Sequence, residues 1–155
     1  MADLTNEQYE AIGRLSISVN DIEYVVGEML RYFLSAKVDT VGELYLKRDR
    51  LLSQKRDMLK KVITEVSNSF PHIAASADAA KSTLLQIDRL ATDRNNLIHG
   101  QLIIDCATKT AQLQSKGAIV PSGAAHINSL AVKAKQLADD LVIHCGEILF
   151  GAGLI

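Results

Sequence analysis

The N-terminal part of the chain carries an unbroken apolar seam with helical spacing. This period places every member on one face of a single α-helix, which is the face that packs lengthwise against antiparallel partners in a helical bundle. Thr5 and Gln8 have the capping-box spacing that begins such a helix. The seam therefore predicts an all-α fold built on this helix. Its members recur three and four residues apart: Ile12, Leu15, Val19, Ile22, Val26, Met29 and Phe33.

Two more helical segments follow the first one. Thr40 and Glu43 form a second capping box, and the helix that they begin is expected to end before Phe70-Pro71. A third helix is expected from about Ile73 to Gly100, because apolar residues again recur at three- and four-residue spacing there. These segments are each long enough to belong to a bundle.

The apolar period changes after the third helix. Residues 101–116 have the pattern of a short two-stranded β-hairpin, and Gly117 and Pro121 indicate a loop after it. A last helix is expected to begin near Ser122 and to continue to Phe150. The sequence thus predicts one domain, residues 1–155, with an antiparallel four-to-five-helix bundle and a hairpin between its last two helices. A chain of 155 residues that is 48% hydrophobic is long enough to bury a core of its own.

Several classes of protein are disfavoured by the composition. The chain has no apolar run of membrane-spanning length and no secretion signal at residues 1–7, so we expect a cytoplasmic protein without a membrane contact. Cys106 and Cys145 are 39 residues apart, without a Cys-x-x-Cys motif or a Cys/His cluster around them, so both are expected to be small buried thiols. His126 and His144 are 18 residues apart, and neither has a second His or Cys at i±3 or i±4. We therefore expect no metal site and no cofactor.

One segment is locally basic although the net charge is only −1. Residues 47–61 contain seven basic and two acidic side chains, and Arg48 and Lys55 occupy slots of the apolar stripe of the second helix. Burying either cation alone would be costly, so each must reach solvent, pair with an acid, or face a polar cleft or interface. Glu23, beside the seam of the first helix, could form a salt bridge with a neighbouring helix or reach a site, and the structural role is expected. Two interpretations stay open: the segment is a solvated helix face, or it contacts nucleic acid.

The end of the third helix contains the polar residues that packing explains least. Gly100 predicts a helix end in the left-handed conformation, with His99 in the last turn. Asn95 and His99 are four residues apart and share a face, and Arg94 is close enough to bend toward them. Arg94 also fills the remaining slot of an apolar stripe, where a core residue is expected. The other members of that stripe are Ala77, Ala80, Leu84, Ile87, Ala91 and Ile98.

A structural role for the same residues is also open. Cations near the C-terminus of a helix interact favourably with its negative end, by about 0.3–1 kcal/mol when they are exposed. Arg94 and His99 fit that description, and Asn95 fits an ordinary surface residue. Spacing alone does not separate this interpretation from a site in which the three polar groups converge.

With its flanking helices and hairpin, the segment Asp93-Arg94-Asn95-Asn96-Leu97-Ile98-His99-Gly100 resembles the motif of the HEPN superfamily, an Arg and a polar residue followed after a few positions by His. The resemblance implies a metal-independent endoribonuclease that acts as a homodimer, with one composite site where two motif helices meet. His99 would move protons, Arg94 would hold the phosphate, and Asn95 would orient the phosphate or the imidazole. Arg48 and Lys55 would guide the RNA backbone. The expected products are a 2′,3′-cyclic phosphate and a 5′-hydroxyl.

The resemblance also admits a non-catalytic helical module that keeps the motif for binding or assembly. The near-neutral net charge and the seven aromatic residues, few for base stacking, favour this alternative. An intermediate possibility is a toxin or defence nuclease that an antitoxin or another regulatory protein keeps silent.

Overall fold

The computed structural model describes residues 3–35 and 52–155. These ranges are mostly helical, as predicted, and contain four α-helices, a short 3-10 turn and three β-strands. The predicted cap at Thr40 and Glu43, and Arg48, lie outside the described residues. In chain order the elements are α1 (Asn6–Ser35), α2 (Leu52–Ser69), the 3-10 turn Pro71–Ile73, α3 (Ala74–His99), β1 (Gln101–Asp105), β2 (Thr110–Ser115), β3 (Ala118–Val120) and α4 (Ala124–Gly151).

The start of α1 confirms the capping box. The Thr5 N–H donates to Gln8 Oε1 over 2.8 Å, and the Gln8 N–H donates to Thr5 Oγ1 over 3.2 Å. The two bonds satisfy backbone donors that have no partner within the helix. The predicted seam is also confirmed, since all its members are buried except Ile12, which is half-buried.

The described residues group into two compact units, and α1, α3 and α4 each contribute to both. The first unit consists of Met1–Asn20 and Arg89–Lys135, and the second of Asp21–Asp88 and Gln136–Ile155. The expectation of a single domain stays a prediction. The first unit buries Ala11, Leu15, Val19, Leu90, Leu97, Leu113, Ile127 and Ala134, whereas the second buries a larger set that includes Ile22, Val26, Leu30, Leu59, Ile63, Leu84, Ile87, Leu141 and Ile148.

The first unit contains a three-stranded antiparallel sheet in the order β1-β2-β3. The predicted hairpin is confirmed as β1 and β2, but the loop expected after it is wrong. Lys116 and Gly117 instead form a two-residue turn between Ser115 and Ala118, with φ of 51° and 81°. Two successive positive φ angles match the twist of antiparallel strands, so the chain turns straight into β3. A strand of three residues is too short for an alternating pattern to reveal it.

The buried face of α3 differs from the predicted stripe in its second half. The first four predicted positions, from Ala77 to Ile87, are buried, but Ile98 is 42% exposed, and Leu90 and Leu97 are buried in its place. The reason lies in the first unit, where the end of α3 contacts the sheet: Ser115 Oγ of β2 donates to Asn96 Oδ1 over 3.1 Å. Leu97, next to Asn96, is buried on that side of the helix.

Helix α2 buries a face that its apolar residues alone did not predict. Leu59 is buried, but the apolar Met58 and Val62 are only half-buried, whereas Ile63 and the charged Arg56 are buried. The spacing of Arg56, Leu59 and Ile63 is helical, so the stripe is regular once the arginine is counted. A pattern of hydrophobic residues leaves arginine out, because an arginine side chain is buried only when a partner neutralises its charge.

The two cysteines are free thiols in different surroundings. Cys145 is fully buried, as predicted, and burial raises the pKa of its thiol to about 12. Cys106 is exposed, so the prediction that it is buried was wrong. It lies in the four-residue turn between β1 and β2, which a hairpin presents to solvent. In the described part of the chain, no helix has an apolar stretch that could cross a membrane.

Candidate functional site

Arg94 is held by two amide oxygens of the first unit. Its Nη1 donates to Asn95 Oδ1 over 2.9 Å, and its Nη2 lies 3.5 Å from Asn20 Oδ1, at the limit of a hydrogen bond. The side chain is half-buried, and its Nε is shielded from solvent without a hydrogen-bond partner among the described residues. The guanidinium is therefore oriented by neutral groups while one of its N–H donors is left unsatisfied.

The charge of Arg94 has no counter-charge in the described ranges. Among the other described arginines, Arg14, Arg31 and Arg56 each pair with a carboxylate, whereas the exposed Arg89 forms no ion pair. No described carboxylate lies within ion-pair distance of Arg94. A guanidinium that is partly shielded, fixed by amides and not neutralised is suited to bind an anion, because planar oxyanions accept two of its N–H donors at once.

His99 is the last residue of α3, as predicted, and its side chain is exposed. None of the described residues forms a hydrogen bond with its ring. Asn95 is also exposed and precedes His99 by four residues, so the two side chains project from the same face of the helix. The model thus brings Arg94 and Asn95 into contact and places the imidazole one turn further along, with both ring nitrogens available.

Gly100 ends α3 for a different reason from the predicted one. Its φ is not in the left-handed region. A Cβ at this position would lie 2.7 Å from the backbone oxygen of Asn96 and 3.5 Å from that of Gln114 in β2. Glycine is required because a Cβ would clash with the carbonyl of the preceding turn of α3, whereas the distance to Gln114 is an ordinary contact, and β1 follows the helix end directly. The position of His99 is therefore set by a tight helix-to-strand junction.

The structure describes one of the two residues that were expected to guide RNA. Lys55 belongs to the second unit, where its Nζ lies 3.3 Å from Glu23 Oε1. The structural role expected for Glu23 is thus confirmed, and the positive charge of Lys55 is largely balanced. Arg48 lies outside the described residues. No described contact of Lys55 assigns it to RNA.

Sequence reasoning missed two features of these units. Asn20 follows the buried Val19 of the α1 seam, and no pattern predicted that its amide would face Arg94. In the second unit, the buried Arg56 forms an ion pair with Asp88, whose other carboxylate oxygen lies 3.5 Å from Lys60 Nζ. Burial lowers the pKa of the Arg56 guanidinium. In the sequence, this pair could have been suggested only by the presence of a carboxylate, Asp88, in the helix that follows.

No three His, Cys, Asp or Glu side chains within residues 3–35 and 52–155 are grouped so that they could hold a metal ion. Comparison of the chain with models of protein families, with known proteins and with solved structures gave no match.

Proposed function

We propose that this protein is a metal-independent endoribonuclease of the HEPN type, in which Arg94 and His99 are the catalytic residues. The observation that carries the proposal is the uncompensated guanidinium of Arg94, held by amide oxygens five residues before an imidazole with no hydrogen-bond partner among the described residues. A phosphodiester that reacts with its own 2′-hydroxyl gains negative charge on the phosphoryl oxygens. An oriented cation stabilises that charge without a metal.

The proton transfers of this reaction are assigned to His99. Imidazole is the side chain that exchanges protons most readily near neutral pH, and an exposed ring at a helix end can approach the 2′-hydroxyl of a bound strand. Asn95 bonds to Arg94 and shares the face of His99, so it orients the guanidinium toward the phosphate. The reaction leaves a 2′,3′-cyclic phosphate on one product and a 5′-hydroxyl on the other.

The complete site is proposed to form in a homodimer with a bundle architecture, where the ends of two α3 helices meet. Cleavage requires a base for the 2′-hydroxyl and an acid for the leaving oxygen, and each motif contains a single histidine, His99. A second copy supplies the second imidazole and a second Arg94. In a toxin or defence setting, an antitoxin or another regulatory protein would act by covering this exposed helix end.

The alternative is a non-catalytic binding or assembly module. The observation that favours it is the absence, among the described residues, of any group that orients the His99 ring, because a catalytic base is usually held by a hydrogen bond from its second nitrogen. In this alternative Arg94 binds an anionic group of a partner and His99 is a surface residue.

The test is cleavage of a mixed RNA pool in EDTA by the wild type, with identification of the product ends. We expect Arg94→Ala and His99→Ala each to lower the rate by about 10²–10⁴-fold, the range for the loss of an electrostatic or an acid–base group. Arg89→Ala is the matched control, because Arg89 is an exposed arginine on the same helix. Folded dimeric wild type that cleaves no RNA would refute the proposal.

Mixing wild type with a double variant tests whether the site is shared. A dimer of wild type with Arg94→Ala/His99→Ala contains one intact Arg94 and one intact His99, both on the wild-type chain. If the site is composite and needs two imidazoles, subunit exchange with an excess of the double variant removes the activity of the wild-type chains. If each chain holds a complete site of its own, the wild-type chains keep their activity in the mixed dimers.

A further inference from the structure

A second candidate site lies in the first unit, in a cleft of about 320 Å³. Helix α3 forms one wall with Asp93 and Leu97, and α4 forms another with His126 and Leu130. Strand β3 and the residue after it close the third side. In each helix the polar residue precedes the apolar one by four positions, so each pair lies on one helical face. The cleft therefore has polar groups beside an apolar surface, the usual composition of a small-ligand site.

The polar groups of the cleft have unused hydrogen-bonding capacity. Asn96 lines the cleft three residues after Asp93, and its Oδ1 accepts from Ser115 Oγ, which leaves its amide N–H groups without a partner among the described residues. The Asp93 carboxylate and the His126 ring likewise form no hydrogen bond or ion pair there. Two oxygen acceptors and two N–H donors thus lie on adjacent turns of α3, with an imidazole on the opposite wall.

The cleft is distinct from the cluster around Arg94. On α3, the mean direction of Asp93, Asn96 and Leu97 lies roughly 130° around the helix from that of Asn95 and His99. A free carboxylate at its edge also disfavours phosphate, since like charges repel in a partly shielded site. The ligand is therefore an uncharged group with a flat apolar body, adjacent N–H donors and a neighbouring acceptor.

We propose that this cleft binds a guanine base. Guanine carries N1–H and N2–H side by side, which match the two oxygens of Asp93, and its O6 lies next to them, within reach of a donor such as the Asn96 amide three residues along the helix. Adenine, cytosine and uracil do not present two adjacent N–H donors on that edge. The apolar groups Leu97 and Leu130 cover the faces of the ring, and the cleft volume is near the lower limit for ligand sites, which suits a base or a nucleoside.

The guanine can belong to a free nucleoside or to an unpaired nucleotide of RNA. Titrations of the full-length protein by calorimetry, with guanosine, inosine and adenosine, test the base itself. Inosine lacks only the N2 amino group, so guanosine should bind on the order of tenfold tighter or more, the effect of losing one hydrogen bond to a charged acceptor. Asp93→Asn should remove this difference between guanosine and inosine. Asp139→Asn, a change at an exposed acid of α4 outside the cleft, should leave it intact.

Two 2′-O-methyl pentanucleotides, one with a central guanine and one with hypoxanthine in its place, distinguish the two sources. They cannot be cleaved through a 2′-hydroxyl, so the binding result is independent of the proposed nuclease. Tighter binding of the guanine oligonucleotide than of guanosine identifies an RNA nucleotide as the ligand, whereas equal or weaker binding identifies the nucleoside. The proposal is overturned if guanosine shows no saturable binding, or if Asp93→Asn binds guanosine and inosine with the wild-type difference.

Discussion

Replacing either partner of the buried ion pair of the second unit should have very unequal effects. Arg56 is 5% exposed, and its guanidinium contacts Asp88, while its Nε lies 3.4 Å from the Leu52 carbonyl. The Asp88 side chain is 38% exposed and also lies 3.5 Å from Lys60. Removing the carboxylate leaves a cation that water cannot reach. Removing the guanidinium leaves an anion that keeps both water and a second cation.

The magnitude follows from that asymmetry. Breaking a buried pair by removing one partner costs about 3–5 kcal/mol when the remaining charge stays buried, so Asp88→Asn should lower the free energy of unfolding by about 3 kcal/mol. Arg56→Met keeps an unbranched chain of similar length in the core and should cost less than about 1 kcal/mol. The double variant should be close to Arg56→Met alone, because the buried charge is gone. For a chain of this length, 3 kcal/mol corresponds to a melting temperature lowered by roughly 6–12 °C.

Urea unfolding followed by circular dichroism measures all three variants, and their double-mutant cycle isolates the coupling of the pair. Glu65→Gln, which removes an exposed acid of the same helix as Arg56, controls for the loss of a surface charge and should stay within about 0.5 kcal/mol of wild type. The reasoning is refuted if Arg56→Met destabilises more than Asp88→Asn, or if the two single effects simply add.

Three further outcomes are expected from the structure. Gly100→Ala should lower the free energy of unfolding by about 1–3 kcal/mol in urea titrations, because its Cβ would lie 2.7 Å from the Asn96 oxygen. A thiol reagent at neutral pH should label the exposed Cys106 and leave Cys145 unlabelled until the chain unfolds, because burial raises the pKa of Cys145 to about 12. Hydrogen bonds from its own turn lower the pKa of Asp105. The ionised Asp105 side chain therefore stabilises the turn above its unfolded pKa of about 3.9. This stabilisation is lost as the pH falls through the lower pKa of the folded state, and amide hydrogen exchange of the turn measures the loss.

The helices were predictable because their signals are local and repeated. The capping box at Thr5 and the apolar seam of α1 specify a helix from many residues at once, so no single position decides the outcome. Strand β3 was not predictable by the same method, because its three residues carry too little pattern and its turn depends on a lysine with positive φ. Few sequences reveal that a lysine will adopt this conformation.

The candidate site was predictable only as a set of neighbours along one helix. Spacing placed Asn95 and His99 on one face and indicated that Arg94 replaces an apolar residue, because those relations depend on helix geometry alone. The approach of Asn20 depends on packing between two helices of the first unit, which no local pattern encodes. The contribution of Asn96 to the cleft is of the same kind, since its amide is oriented by a strand nearly twenty residues later in the chain.

Arg56 and Arg94 show how the same substitution of an apolar slot by arginine can serve two purposes. Arg56 is more deeply buried and contacts a carboxylate and a backbone oxygen. Its charge is therefore neutralised by the ion pair that links α2 to α3. Arg94 is only half-buried, and the described residues supply two amide oxygens and no carboxylate. Amides orient a guanidinium without cancelling its field, so the charge stays available to a phosphate. The exposed His99, five residues later on the same helix, adds a group that can exchange protons, which is why the proposed nuclease site contains Arg94 and not Arg56.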